Sequence, residues 1–352
     1  SYAYVFHDPP INKSALRNLV YRLRKEKTRR NKISLIKIRS STQDKLDSLL
    51  EELSPIFSEE NPLNLIILSD ISEYTPTNAI TSCNIFQSLT GLKENWDCSL
   101  AQYAHFNAEK FSRFEYLKTS LMSNNKSNSL YNLAHFRSLK VLDVSINIEE
   151  NERNLYQELA FPEGLESLAM VITLDLSDIL FEIDINPFES NEYLQRFISA
   201  YERIKALRFL SICSTTATQF IMYYLTLSLL KRSRTLTKFE LSYKNFYLPK
   251  EKQIPFDLAS VFAIIRGSNQ ELKKANFKLI SCTAPQQVPR RDQRLSLDEL
   301  ILDIVEFNSH IFRFAPSMTS NLNLMLKIKE KDEFSSLCTL LSRIPSQDRK
   351  ST

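Results

Sequence analysis

The chain has 352 residues, 43% of them apolar, and a formal net charge of +4, enough length and apolar content for two ordinary domains or one solenoid. Only three glycines occur, Gly91, Gly164 and Gly267, so no Walker loop, dinucleotide fingerprint or G-x-S-x-G elbow is present. Those motifs need glycine because the backbone must take φ > 0 or approach a phosphate closely. Cys83, Cys98, Cys213, Cys282 and Cys338 contain no C-x-x-C pair, and His7, His105, His135 and His310 lack ligand spacing, so no metal or cofactor is expected. An odd, scattered set of cysteines suits a reducing, intracellular compartment, cytoplasmic or nuclear.

The first ten residues lack the apolar run of a signal peptide, and the missing initial Met is read as processing or trimming. Residues 1–32 hold nine Lys/Arg and two acids, a net +7; residues 33–352 hold 36 bases and 39 acids, a net −3. The basic excess falls on a helix expected over 14–31, with Ser14 as N-cap and an apolar stripe of Ala15, Leu16, Leu19, Val20 and Leu23. Arg17, Arg22, Arg24, Lys25, Arg29 and Arg30 crowd the rest of its surface. Residues 1–32 are therefore read as a basic segment with a capping helix, whose charges also suit an anionic partner. Residues 33–352 are read as one irregular repeat domain.

The repeat is clearest at Leu139-Lys-Val-Leu-Asp-Val-Ser-Ile-Asn147, which reads L-x-x-L-x-V-x-x-N. Degenerate copies begin at Ile33, Leu63, Phe114, Leu165, Leu207, Leu236, Leu272 and Leu297, and a last strand is expected within 322–328. Leu89-Thr-Gly-Leu92 has the spacing, but Glu94 occupies its third apolar position, so a copy is read as missing there. Helices are expected over Tyr193–Arg203, Gln219–Arg232 and Leu258–Ile265, each shortly before a strand. Alternating strands and helices imply parallel pairing. Phe209–Leu230 has 22 uncharged residues, but its polar first half fits strand, turn and buried helix better than a membrane span. Pro285–Arg294, with two prolines and Arg290, Arg291 and Arg294, reads as an exposed basic loop.

These segments resemble the leucine-rich repeats, in particular the ribonuclease-inhibitor-like branch with its long helices. The resemblance implies an α/β solenoid, a horseshoe with a concave parallel sheet and outer helices. Period-two alternation then turns Lys37, Arg39, Tyr116, Lys118, Asp143, Phe209, Lys238, Lys274, Lys278, Glu299 and Asp303 onto the concave face, which such proteins use to bind other proteins. The charges on these rows suit a partner, and equally suit pairing with one another across neighbouring strands. The function expected is a non-catalytic interaction scaffold, a subunit of a larger intracellular assembly. The alternative is an RNA-associated subunit using the basic helix and the 285–294 loop. A substrate adaptor of the F-box type is a weaker reading, carried only by Leu49–Phe57 (LLEELSPIF).

Overall fold

The computed structural model describes residues 2–7, 13–28, 33–39, 43–57, 63, 65–69, 89–93, 113–120, 133–149, 159–175, 192–214, 219–243, 256–284, 297–307, 311 and 322–326. The chain is an α/β protein dominated by parallel sheet, with helices between strands. It divides into an N-terminal unit, Ser1–Val171 with Tyr193–Leu207, and a C-terminal unit, Ile172–Glu192 with Arg208–Thr352.

In the N-terminal unit the strands are β1 (Tyr2–His7), β2 (Ile33–Arg39), β3 (Leu65–Ser69), β4 (Gly91–Lys93), β5 (Tyr116–Ser120), β6 (Val141–Glu149) and the start of β7 (Ser167–Asp175). They lie side by side in chain order. The helices are α1 (Lys13–Thr28), α2 (Gln43–Leu53) and α3 (Glu192–Glu202). In the C-terminal unit, β8 (Phe209–Ser214), β9 (Lys238–Tyr243), β11 (Lys274–Thr283), β12 (Glu299–Phe307) and β13 (Leu322–Leu326) also follow chain order, and the short β10 (Phe256–Asp257) pairs with the end of β11. Its helices are α4 (Gln219–Arg232) and α5 (Leu258–Ser268). Every pairing whose register is described is parallel. Sequential strand order within each unit separates this fold from doubly wound sheets, whose order reverses at a switch point.

The L-x-x-L-x-L phase holds repeat after repeat. The first position (Leu63, Leu89, Phe114, Leu139, Leu165, Leu207, Leu236, Leu272, Leu297) is buried throughout, as is the fourth (Ile66, Leu92, Leu117, Leu142, Leu168, Leu210, Phe239, Ala275, Leu300). The intervening positions alternate to the other face. Period two puts the apolar set under the helices and leaves its neighbours outward.

Backbone hydrogen bonds repeat with the same phase. The carbonyl of Thr90 accepts from Glu115 N (2.8 Å) and Tyr116 N (3.1 Å); that of Glu115 accepts from Lys140 N and Val141 N, both 2.9 Å; that of Lys140 accepts from Glu166 N and Ser167 N. In the C-terminal unit the carbonyls of Arg208, Thr237 and Lys273 each take two successive amides of the following repeat in the same way. Three residues before the first Leu, a turn carbonyl accepts the Leu amide: Phe136 to Leu139, Pro162 to Leu165 and Asn269 to Leu272. Asn269 also donates its side-chain amide to Leu230 O at the end of α4, a helix-terminal carbonyl that also takes the Ser233 amide at 3.3 Å.

Three findings correct the sequence reading. A strand, β1, stands ahead of α1 and pairs in parallel with β2, so α1 is a crossover between two strands rather than a first, capping element. Tyr2-Ala-Tyr-Val-Phe-His7 is rich in strand formers but lacks the leading Leu that marks later repeats. The copy read as missing is present: β4 forms at Gly91–Lys93, pairs with β3 and β5, and buries Leu89 and Leu92 completely. Finally, β13 has a defined register, with Leu322 opposite Leu300 and Leu324 opposite Leu302. The long uncharged stretch forms β8 and α4, and among the described residues no helix is long and apolar enough to cross a membrane.

Candidate partner-binding face

The outward rows carry the residues singled out by alternation. In the C-terminal unit Lys238, Lys274 and Glu299 lie in register across β9, β11 and β12, as do Glu240, Asn276 and Ile301 one step on. Three described lysines of this face each have a carboxylate: Lys238 Nζ lies 2.7 Å from Glu240, Lys274 Nζ 3.3 Å from Glu299, and Lys278 Nζ 3.6 Å from Asp303. Lys238 also sits 4.8 Å from the centre of the Phe209 ring, a cation–π contact. Thr237, Lys238, Glu240, Lys274, Asn276 and Ile301 line part of an open hollow of about 400 Å³ on this face. In the C-terminal unit Lys274 and Lys278 thus pair across neighbouring strands, and Lys238 pairs along its own strand.

The N-terminal unit differs. Lys118 pairs with Asp143, its register neighbour on β6. Tyr116 lies beside them, and burial, aided by the Asp143 charge, pushes its phenol above the ordinary range. Lys93 on β4 lies directly opposite Lys118, and Lys37 on β2 takes the same row two strands away. Among the described residues neither Lys37 nor Lys93 has a carboxylate partner. Arg39 is exposed at the end of β2. Lys93 was missed in the sequence because Glu94 led its whole repeat to be set aside. The 26-residue step from Leu63 to Leu89 and the 25-residue step to Phe114 are the signal that would have found it.

On α1, Val20 and Leu23 are buried, and the helix packs against α2 and the turn at 54–56. Arg17, Arg22, Arg24 and Lys25 are exposed, and Arg17 Nε reaches Glu52 of α2 at 3.3 Å. Tyr21, 66% exposed, interrupts the basic surface. Arg29 and Arg30 lie outside the described residues, as do Arg290, Arg291 and Arg294 with the whole 285–294 loop. Leu49, Leu50, Leu53, Ile56 and Phe57 of the adaptor-like segment are buried in the N-terminal unit, where they serve its core.

Among the described residues no group of three or more His, Cys, Asp or Glu is placed to hold a metal ion. Cys282, buried near the end of β11, has its thiol pushed up to about 12 by burial, and burial likewise raises the Tyr243 phenol well above its ordinary value. Cys213 on β8 is only partly buried. The thiolate is the reactive form, so Cys282 is expected to resist an aromatic disulfide reagent at pH 8 while Cys213 reacts, with Cys282 labelled only after denaturation. Peptide mapping of the labelled chain checks this; equal labelling rates would show that Cys282 is not buried at the end of β11. Both groups are held neutral, so the stability they lend is present below their ordinary values and is lost as pH rises toward the raised ones.

No protein-family model matches the chain, and no curated protein matches it.

Proposed function

We propose that the chain is a non-catalytic interaction scaffold of the leucine-rich-repeat type, a horseshoe whose outward sheet face receives a protein partner within a larger intracellular assembly. The observation that carries the reading is the strand-by-strand recurrence of one phase, buried Leu positions alternating with an outward row of charged and aromatic side chains. Among the described residues such a row is a broad surface with an open hollow, which suits macromolecular contact better than enclosure of a small molecule. Solenoids use surfaces of this kind for binding.

A second reading, an RNA-associated subunit, draws on the exposed Arg22, Arg24 and Lys25 of α1. One experiment separates the two. Changing Arg22, Arg24, Lys25, Arg29 and Arg30 together to Gln is expected to leave folding nearly intact, since surface substitutions cost about 0.5 kcal/mol or less each. The variant and wild type are then co-purified from native extract at two salt concentrations, with and without ribonuclease. The scaffold reading expects protein partners that persist after ribonuclease. Loss of every partner on ribonuclease treatment, or on charge removal with steep salt dependence, favours RNA.

A further inference from the structure

The outward faces of the two units share one fold and one phase but not one charge balance, and that contrast is informative. In the C-terminal unit Lys238, Lys274 and Lys278 are each answered by a carboxylate within 3.6 Å. In the N-terminal unit one outward row runs Lys37, Ile67, Lys93, Lys118, Asp143 in register across five consecutive strands, with one carboxylate for three ammonium groups, whereas the row of the same phase in the C-terminal unit, Glu240, Asn276, Ile301, holds no lysine. Asp143 is already taken by Lys118. Lys93 and Lys118 stand directly opposite each other on strands about 4.8 Å apart, an arrangement in which like charges repel. Lys37 and Lys93 are also half-buried, so water screens them less than it screens the bases of α1.

We propose that this row, on the outward face of β2–β5, is the docking site for an acidic segment of a protein partner. The inference rests on the scaffold reading and names the chemistry of its partner. Charge complementarity fixes the sign: two ammonium groups that have no carboxylate partner among the described residues call for anions. The surroundings select peptide over nucleic acid. Leu35 and Val141 are half-buried aliphatic side chains on the same outward face, which suit apolar residues interspersed among acids. Tyr116 is the one aromatic among the described outward side chains of β2–β6, whereas single-stranded nucleic acid is held by several stacked rings. The Asp143 carboxylate at the end of the row repels a phosphate chain running past it, but leaves a peptide free to turn an uncharged side chain there.

The test uses the full chain and a labelled peptide of about twelve residues, Glu-rich with interspersed Leu, long enough to cross β2–β5 at roughly 3.3 Å per residue. Its Gln counterpart and an oligouridylate of similar length serve as comparisons. Wild type is expected to bind the Glu peptide about ten-fold or more tighter than the Gln peptide at low salt, and K37Q/K93Q to lose about ten-fold in affinity with an unchanged melting temperature. R22Q/R24Q, on the helix surface, is expected to stay within about two-fold of wild type. Retained affinity in K37Q/K93Q, loss in R22Q/R24Q alone, or tighter binding of oligouridylate than of the Glu peptide would each overturn the proposal. Persistence of ribonuclease-resistant protein partners alongside such a failure leaves the scaffold reading standing; their absence alongside successful peptide binding removes the scaffold and keeps the site.

Discussion

Leu142→Ala is expected to lower the unfolding free energy by about 2–5 kcal/mol, while Asp143→Ala, one residue on, costs about 1 kcal/mol or less. Leu142 is 0% exposed and stands in register with Leu117 on β5, also 0% exposed. Truncation removes three carbons from a site where neighbouring strands hold the backbone at fixed spacing. The surroundings collapse poorly, and a cavity adds to the lost transfer energy. Asp143 points the other way, its side chain 27% exposed, and its ion pair with a Lys118 that is 38% exposed is weakened by solvent. Urea unfolding of the two variants compares them directly. Equal destabilisation would mean that β6 is threaded one residue out of phase, since a one-residue slip exchanges the two faces.

Phe277→Ala is expected to be as costly or more so, about 3–5 kcal/mol. The Phe277 ring is fully buried, with centroids 5.6 Å from Phe239 on β9, 6.1 Å from Phe256 on β10 and 5.9 Å from Phe262 on α5. One side chain thus joins three elements of the C-terminal unit, and its loss leaves three rings without a common neighbour. Edge-on and tilted ring contacts contribute about 0.5–1.5 kcal/mol each beyond area burial. Hydrogen exchange is the appropriate readout, because a chain with two compact units need not unfold in one step. Protection is expected to fall across β9, β11 and α5 in F277A, and to be unchanged in the outward neighbour variant K278A. Unchanged protection in F277A would place the ring outside the stabilising core.

Much of this architecture was legible because two periodicities overlap. Leu positions spaced L-x-x-L-x-L mark the buried phase within each strand, and recurrence after 25 to 42 residues marks the strand after it. The outward residues followed from alternation, so Lys37, Tyr116, Lys118, Asp143, Phe209, Lys238, Lys274, Lys278, Glu299 and Asp303 could be placed before their partners were known. What was not legible was pairing. Lys274 and Glu299, or Lys278 and Asp303, are 25 residues apart in sequence, and only strand register makes them neighbours. Two elements escaped for opposite reasons: β1 is strand-like but lacks the repeat's Leu, and β4 has its Leu pair but only three residues. Charge averaging hid the unbalanced row of the N-terminal unit. A net −3 over residues 33–352 says nothing about Lys37 and Lys93 sharing one face.

The paired-amide carbonyls have a consequence for how such a chain can be edited. At six of the described joints one peptide oxygen, at the head of the strand ladder, takes two successive amides of the next repeat: Thr90 serves Glu115 and Tyr116, and Glu115 serves Lys140 and Val141. A main-chain atom does this work, so the joint is indifferent to the side chain that occupies the position, and Thr, Glu, Lys and Arg all fill it. Repeats then behave as cassettes with identical couplings at both ends. Excision of residues 91–115 would bring the Thr90 oxygen to the amides of Lys140 and Val141, closing the gap with the same bonds. Length can change by whole cassettes without a new joint, whereas a cut that leaves a fraction of one has no oxygen in phase to receive the next pair of amides.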